Sequence, residues 1–170
     1  MPRAEPAQEF PETTSITMIA PGELRSLPLR RGYDYWRALC GTRRFPSRDD
    51  IKPREVKFAL TNMLLVKVID DGADFQFRII GDHAWRGYNT ALTNRLLSDV
   101  AQEIPRPVAN WLKIYRQVVE SGAPVAEHVI AGRDAVEANF TEAEAVFLPL
   151  GSEDHKVDHI LAFVNHNLKA

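Results

Sequence analysis

Hydrophobic and polar positions near the N-terminus change from an irregular pattern to helical spacing. Residues 1–30 are rich in proline and lack a sustained period, which predicts a flexible extension with one short ordered piece around residues 16–19. Leu29, Tyr33, Trp36 and Cys40 then recur at helical spacing. They predict a first helix over about residues 32–40.

The middle of the chain predicts a hairpin followed by helices. Residues 62–69 and 75–80 are rich in branched and aromatic side chains, and the Asp-Asp-Gly between them favours a tight turn. Residues 81–100 show only short helical patterns. The strongest amphipathic pattern begins at Pro105 and ends before Gly122, which predicts one long helix.

Three further strands complete the predicted order, at residues 125–131, about 142–150 and 157–165. Strands grouped at the two ends, with helices between them, do not alternate as in parallel α/β folds. The pattern therefore predicts an α+β domain over residues 31–167. We expect a five-stranded antiparallel sheet covered on one face by helices, with an N-terminal helical extension.

Composition narrows the function classes. The 170 residues are 45% hydrophobic and 26% charged, which is typical of one globular domain. The net charge of −2 gives no basic footprint, so we expect no nucleic-acid partner. No apolar run is long enough for a membrane span, and the N-terminus lacks the apolar region of a secretory signal. With a single cysteine, the sequence predicts a cytoplasmic protein without disulfides.

Three short motifs resemble a bacterial family of single-domain PAS proteins. They are residues 35–41 (YWRALCG) with the arginine, proline and aspartate positions of 44–53, residues 77–81 (FRIIG), and residues 148–150 (LPL). The resemblance implies a sensory or signalling domain whose helices and sheet enclose a small cavity. It also implies dimerisation through the segment before the first strand. Because no kinase, cyclase or DNA-binding segment is recognised in the sequence, we expect output through a separate signalling protein. The resemblance identifies no cofactor.

Aromatic residues are the candidates for lining such a cavity. The predicted helices and strands bring large rings to one inner face, and Tyr and Trp each add a hydrogen-bonding group to an apolar surface. An ordinary packed core has the same spacing and is the alternative interpretation. A ligand in this cavity is expected to be small and apolar or amphipathic. The cavity candidates are Phe77, Trp85, Tyr88, Trp111, Tyr115 and Phe147.

Catalytic and metal-binding motifs are not found in the sequence, so we expect neither an enzyme nor a metal site. Glu142 and Glu144 share a predicted strand face, where a solvated surface is the simpler interpretation. The alternative is a small α+β hydrolase or isomerase of the cone-shaped type, with Tyr88, His128 or Glu144 at the mouth of its cavity. A structural dimer that binds no ligand is a third hypothesis.

The N-terminal helix is the predicted dimer contact. Leu29, Tyr33 and Trp36 form an apolar stripe ahead of the first strand, and an exposed stripe of this kind marks a contact surface. Cys40 lies on the same helical face, so we expect a buried and unreactive thiol.

Overall fold

In the computed structural model of the chain, residues 10–169 are described. They form an α+β fold of four α-helices and six strands, joined by short 3-10 helices and loops. None of the helices described is long and apolar enough to cross a bilayer. The strands are β1 (Ser15–Ile19), β2 (Met63–Ile69), β3 (Asp74–Ile80), β4 (Val125–Ile130), β5 (Phe140–Leu150) and β6 (His159–Leu168), and the helices are α1 (Leu27–Cys40), α2 (Asp82–Trp85), α3 (Leu97–Val100) and α4 (Pro105–Ser121).

All six strands belong to one antiparallel sheet in the order β1-β4-β5-β6-β2-β3. The predicted α+β class and antiparallel sheet are confirmed, and the five predicted strands are all present. The sixth, β1, adds to the outer edge of β4. Its side chains are largely exposed, with Ile16 at 45% and Met18 at 50%. Buried and exposed positions therefore do not alternate along β1.

Residues 15–30 belong to folded elements rather than to the flexible extension predicted over residues 1–30. They form β1, a 3-10 helix at Pro21–Glu23 and the first turn of α1, which begins at Leu27 with a proline in that turn. Proline is favoured there because the first backbone N–H groups of a helix have no partner within it. Residues 1–9 lie outside the described part of the chain.

Helices pack on both faces of the sheet: α4 covers one face, and α1, the predicted N-terminal helical extension, packs on the other. Neighbouring residues of a strand point to opposite faces. Phe147 packs against Tyr115 of α4 on one face, with ring centroids 5.8 Å apart. Phe163 packs on the opposite face against Gly32 of α1, where an added Cβ would lie 2.7 Å from the ring. We call these the α4 face and the α1 face.

Strand β5 shows the cause of this two-sided packing. Every residue from Ala143 to Leu150 is buried. A continuous buried run is typical of a strand covered on both faces. Both α1 and α4 contact β5, so the sheet forms the middle layer of the domain.

A bulge redirects the end of β3. The pairing of β2 with β3 shifts between Leu65 and Val66, so that Leu65 pairs with Ile79 and Val66 with Phe77. The extra residue turns Ile79 away from the face of Phe77, and Ile79 is 44% exposed.

Candidate ligand-binding cavity

A cavity of about 200 Å³ lies between α4 and the sheet. Its walls are formed by residues of β2, β3, α2, α4, β4, β5 and β6, and by Thr14 and Ile16 at the β1 edge. The apolar part of the lining consists mainly of Leu64, Phe77, Ala84, Leu92, Phe140, Ala143, Ala145, Phe147 and Val164.

Small side chains on the sheet create this space. Ala143 and Ala145 are adjacent inward positions of β5, and both are buried. They lie beneath α4, whose Trp111 and Tyr115 are large, rigid rings. Such rings cannot flex to fill the volume that an alanine leaves, so the packing has a gap where most cores have none.

Trp111 is the centre of the aromatic wall. Its ring is perpendicular to that of Tyr88 at a centroid distance of 4.8 Å, and it meets Phe77 edge-on at 5.9 Å. Five of the six predicted cavity residues line the cavity: Phe77, Tyr88, Trp111, Tyr115 and Phe147.

Trp85, the sixth predicted residue, does not line the cavity. It ends the single turn of α2 and is 44% exposed. Its neighbour Ala84 occupies the inward position of that turn. Helical spacing within a turn of four residues does not determine which side chain points inward. The sequence-based prediction therefore named the larger residue, Trp85, instead of Ala84.

Glu127 places a carboxyl group in the wall of the cavity, with only 4% of the residue exposed. The side-chain amide of Asn110, on α4, donates to both carboxyl oxygens at 3.1 and 3.3 Å. Burial raises the pKa of Glu127 to about 7, although the hydrogen bond from Asn110 acts in the opposite direction. Near neutral pH this carboxyl therefore exists in both protonation states.

The sequence contained a signal for Glu127 that went unused. Val125, Glu127 and Val129 alternate along β4 and share one face. Alternate residues of a strand point to the same face, and β4 lies next to the buried strand β5. The glutamate therefore lies between two valines on the inner face of β4. A charged residue at such a position indicates a functional site or a buried pair.

His166 provides a second buried polar group. Only 6% of the residue is exposed, and its ring stacks on Phe140 at a centroid distance of 4.8 Å. Burial, aided by nearby His83, lowers the pKa of His166 to about 4, so the imidazole is neutral at pH 7. Nδ1 has no hydrogen-bond partner among residues 10–169.

Polar contacts join three segments at the mouth of the cavity. The Asp134 carboxylate accepts hydrogen bonds from the backbone N–H and the hydroxyl of Thr14, at 2.8 and 2.7 Å. Arg106, in the first turn of α4, donates to the Asp134 carbonyl oxygen at 2.7 Å. The mouth is thus built from the segment just before β1, from α4 and from the loop between β4 and β5.

Comparison with known proteins identifies the architecture around this cavity. A family model described as PAS domain matches residues 24–165. The chain belongs to the PAS domain family. No curated protein and no solved structure gives a significant match. The resemblance found in the sequence motifs is confirmed, and a PAS domain is in general a sensory or regulatory module, typically without catalytic activity.

The α1 face of this PAS domain carries the polar residues of the alternative enzyme hypothesis. His128 Nε2 contacts a Glu142 carboxyl oxygen there. Glu144 accepts hydrogen bonds from the backbone N–H groups of Arg25 and Ser26, at 2.8 to 3.0 Å. Tyr88 lines the cavity on the α4 face. The sheet therefore separates Tyr88 from His128 and Glu144, and these residues do not form the predicted common mouth.

The predicted dimer stripe is largely buried within the PAS domain itself. Leu29 is 0% and Trp36 is 5% exposed, and Trp36 Nε1 donates to the Pro149 carbonyl oxygen at 2.9 Å. Tyr33 is half-buried and stacks on Trp36 at 6.2 Å. The apolar face of α1 thus packs on its own sheet, which corrects the prediction of an exposed contact stripe.

Cys40, on the same helix, is half-buried. Burial raises the pKa of its thiol, in the direction expected for an unreactive cysteine.

Proposed function

We propose that this PAS domain is a sensory module that binds a small amphipathic molecule in the cavity and transmits binding to a separate protein. The observation that supports the proposal is the buried carboxyl of Glu127 in an otherwise aromatic and aliphatic wall. Ligand sites typically combine apolar walls with a few polar groups that orient the bound molecule.

The size of the cavity limits the ligand. An apolar cavity of about 150 Å³ accommodates benzene. A volume of about 200 Å³ therefore corresponds to a compact molecule of about eight non-hydrogen atoms. We expect a single-ring compound or a short-chain compound of similar bulk.

Strand β5 offers a direct path from the cavity to α1. Ala143 and Ala145 face the cavity, and Glu144 between them accepts the backbone N–H groups that precede α1. On β6, Val164 lines the cavity while adjacent Phe163 contacts α1. A ligand that moves these strands would shift the helix on the opposite face, which is the two-state element the proposal requires.

The exposed side of α1 is the proposed output surface. Arg30, Arg31, Asp34 and Arg37 are exposed there, while the apolar side of the helix is buried. The proposal includes a homodimer and a separate signalling partner, both contacting this polar surface instead of Leu29 and Trp36. Light scattering over a range of protein concentrations tests the dimer, and a monomer throughout that range would remove it.

Native mass spectrometry after a ligand-retaining purification tests the proposed function. We expect the wild-type protein to carry a small molecule at close to one equivalent. Ala145→Leu should abolish this extra mass because the larger side chain fills the cavity. Ala38→Leu, at an exposed position of α1, is the matched control and should retain the molecule.

A second pair of variants separates binding from stability. Trp111→Ala should reduce ligand retention more than Leu161→Ala, although each should lower the free energy of unfolding by about 2–5 kcal/mol. Leu161 is buried on the α1 face and lies outside the cavity lining. Equal retention in these two variants, or no bound molecule in wild type, would favour a structural dimer without a ligand.

A further inference from the structure

We propose that the molecule held in this cavity is a small organic cation, a protonated aromatic amine whose nitrogen contacts Glu127 and whose ring packs against Trp111 and Tyr88. This inference rests on the proposed ligand-binding function and adds the charge and chemical class of the ligand.

The charges around the cavity favour a positively charged occupant. Three carboxyl groups line it, from Glu127, Asp134 and Glu137. Asp134 lies at the mouth with Arg106 and Thr14, and one Glu137 oxygen is buried without a hydrogen-bond partner in the described part of the chain. Arg106 is the cationic residue of the lining, but it lies at the mouth, is exposed and donates to Asp134. His166 adds no positive charge, because its burial keeps the imidazole neutral at pH 7.

Glu127 has hydrogen-bonding capacity that the protein leaves unused. A carboxylate accepts about four hydrogen bonds. One amide nitrogen, Asn110 Nδ2, is its side-chain donor among the described residues, and this single group is shared between the two oxygens. A buried carboxylate with one neutral donor is poorly compensated. An ammonium group supplies both the missing charge and up to three donors.

The aromatic wall supplies the second part of an amine site. The Trp111 ring lies at near-right angles to both Phe77 and Tyr88, at 86° and 90°, and all three rings line the cavity. The face of an aromatic ring carries negative potential and attracts a cation within about 6 Å of its centre. The same rings provide edge-to-face contacts for the ring of the ligand.

The protonation state of Glu127 distinguishes this ligand class from its main alternative. A cationic ligand requires ionised Glu127, so its affinity should rise as the pH increases through about 7. A ligand carboxylate or another acceptor requires protonated Glu127, so its affinity should fall over the same range. The two classes therefore predict opposite slopes.

Other titratable groups near the cavity do not produce this slope by themselves. Burial raises the pKa of Tyr88 and Tyr115 above their usual range, and it lowers that of His166 to about 4. The bonds from Thr14 lower the pKa of Asp134. Arg106 stays charged. Glu137 also has a carboxyl group that lines the cavity, so the Glu137→Gln variant must be measured separately.

Calorimetric titration with three probes of nearly equal size tests the inference. Benzylamine is cationic, benzyl alcohol is neutral and benzoate is anionic. At pH 8 we expect benzylamine to bind about tenfold more tightly than benzyl alcohol, as a charge-assisted hydrogen bond implies, and benzoate to bind least. Between pH 8 and pH 6 the affinity for benzylamine should fall by about tenfold, while that for benzyl alcohol stays constant.

Glu127→Gln should remove the preference for benzylamine and its pH dependence, while binding of benzyl alcohol persists. Glu137→Gln shows whether the second carboxyl contributes, and Glu142→Gln, on the α1 face, is the matched control with wild-type affinities. A preference for benzoate, an amine preference that survives in Glu127→Gln, or no binding of benzylamine would overturn the inference. If one of these results is obtained but the native mass spectrum shows a bound molecule, the inference about an amine fails and the proposed ligand-binding function stands. If the native mass spectrum shows no bound molecule, both the inference and the proposed function fail.

Discussion

The buried carboxyl of Glu127 makes a specific prediction for the pH dependence of stability. Its pKa is raised from the ordinary value of 4.5 to about 7 in the folded protein. The folded state therefore binds the proton more tightly than the unfolded state. The stabilisation is fully present below about pH 4.5 and is lost as the pH rises through about 7.

The magnitude follows from the two pKa values. The difference between 4.5 and about 7 corresponds to about 3 kcal/mol of unfolding free energy. Most of this, about 2 kcal/mol, should be lost between about pH 5.5 and pH 8. Glu127→Gln cannot ionise and retains an acceptor for Asn110. The variant should therefore be more stable than wild type at pH 8, with the advantage shrinking as the pH falls.

Urea denaturation of both proteins at several pH values measures this difference. His166 contributes an opposite trend: burial lowers its pKa from 6.5 to about 4, so its stabilisation is present above about pH 6.5 and lost as the pH falls through 4. Subtracting the stability curve of wild type from that of Glu127→Gln removes the contribution of His166, because both proteins contain this residue. Glu120→Gln, at an exposed position of α4, serves as the control. Parallel curves for wild type and Glu127→Gln would refute the reasoning, since they would mean that Glu127 has an ordinary pKa.

Three further predictions concern α1 and its packing. Trp36→Ala should lower the free energy of unfolding by about 3–5 kcal/mol, through lost packing and the lost bond to Pro149, and light scattering should show an unchanged oligomeric state. Cys40 should react slowly with a thiol reagent in the folded protein and rapidly in urea, because burial raises its pKa; equal rates would contradict this. Gly32→Ala should lower the melting temperature and cost about 1–3 kcal/mol, because its Cβ would lie 2.7 Å from the Phe163 ring; an unchanged melting temperature would show that the ring moves aside.

The elements with long, regular patterns were predictable from the sequence. Helix α4 begins at Pro105 and ends before Gly122, as predicted, because proline fits a first turn and glycine adopts the left-handed conformation that ends the helix. The grouping of strands at the two ends of the chain then predicted the antiparallel sheet. A short ordered piece was predicted around residues 16–19, but not that it forms strand β1 of the sheet, because an edge strand with exposed side chains has little hydrophobic alternation.

Side-chain direction was less predictable than element type. Ile79 follows Phe77 by two residues, a spacing that places side chains on the same face of a regular strand, but a bulge adds one residue to β3 between them. A single inserted residue reverses every later side chain in a strand, and nothing in a run of apolar residues marks its position.

The candidate site was predicted in its aromatic part and missed in its polar part. Trp111 and Tyr115 follow from the inward stripe of α4, which a helical pattern reveals. Glu127 and His166 lie in β4 and β6, and burial shifts their pKa values only once the sheet and helices have assembled around them. The inward position of Glu127 could be read from the alternation in β4, whereas its raised pKa arises from burial by tertiary contacts, which composition and spacing do not encode.

Strand β1 has a practical consequence for work on this protein and on its relatives. The family match begins at residue 24, whereas Thr14 and Ile16, in and beside β1, form part of the cavity wall. A fragment trimmed to the matched boundaries would retain β2 to β5 and β6 as far as Asn165, but it would lack this wall, the buried His166 and the contact between Thr14 and Asp134. Such a fragment would present an open cleft where the longer chain has a partly closed chamber, and ligand screens on it would sample a different binding site.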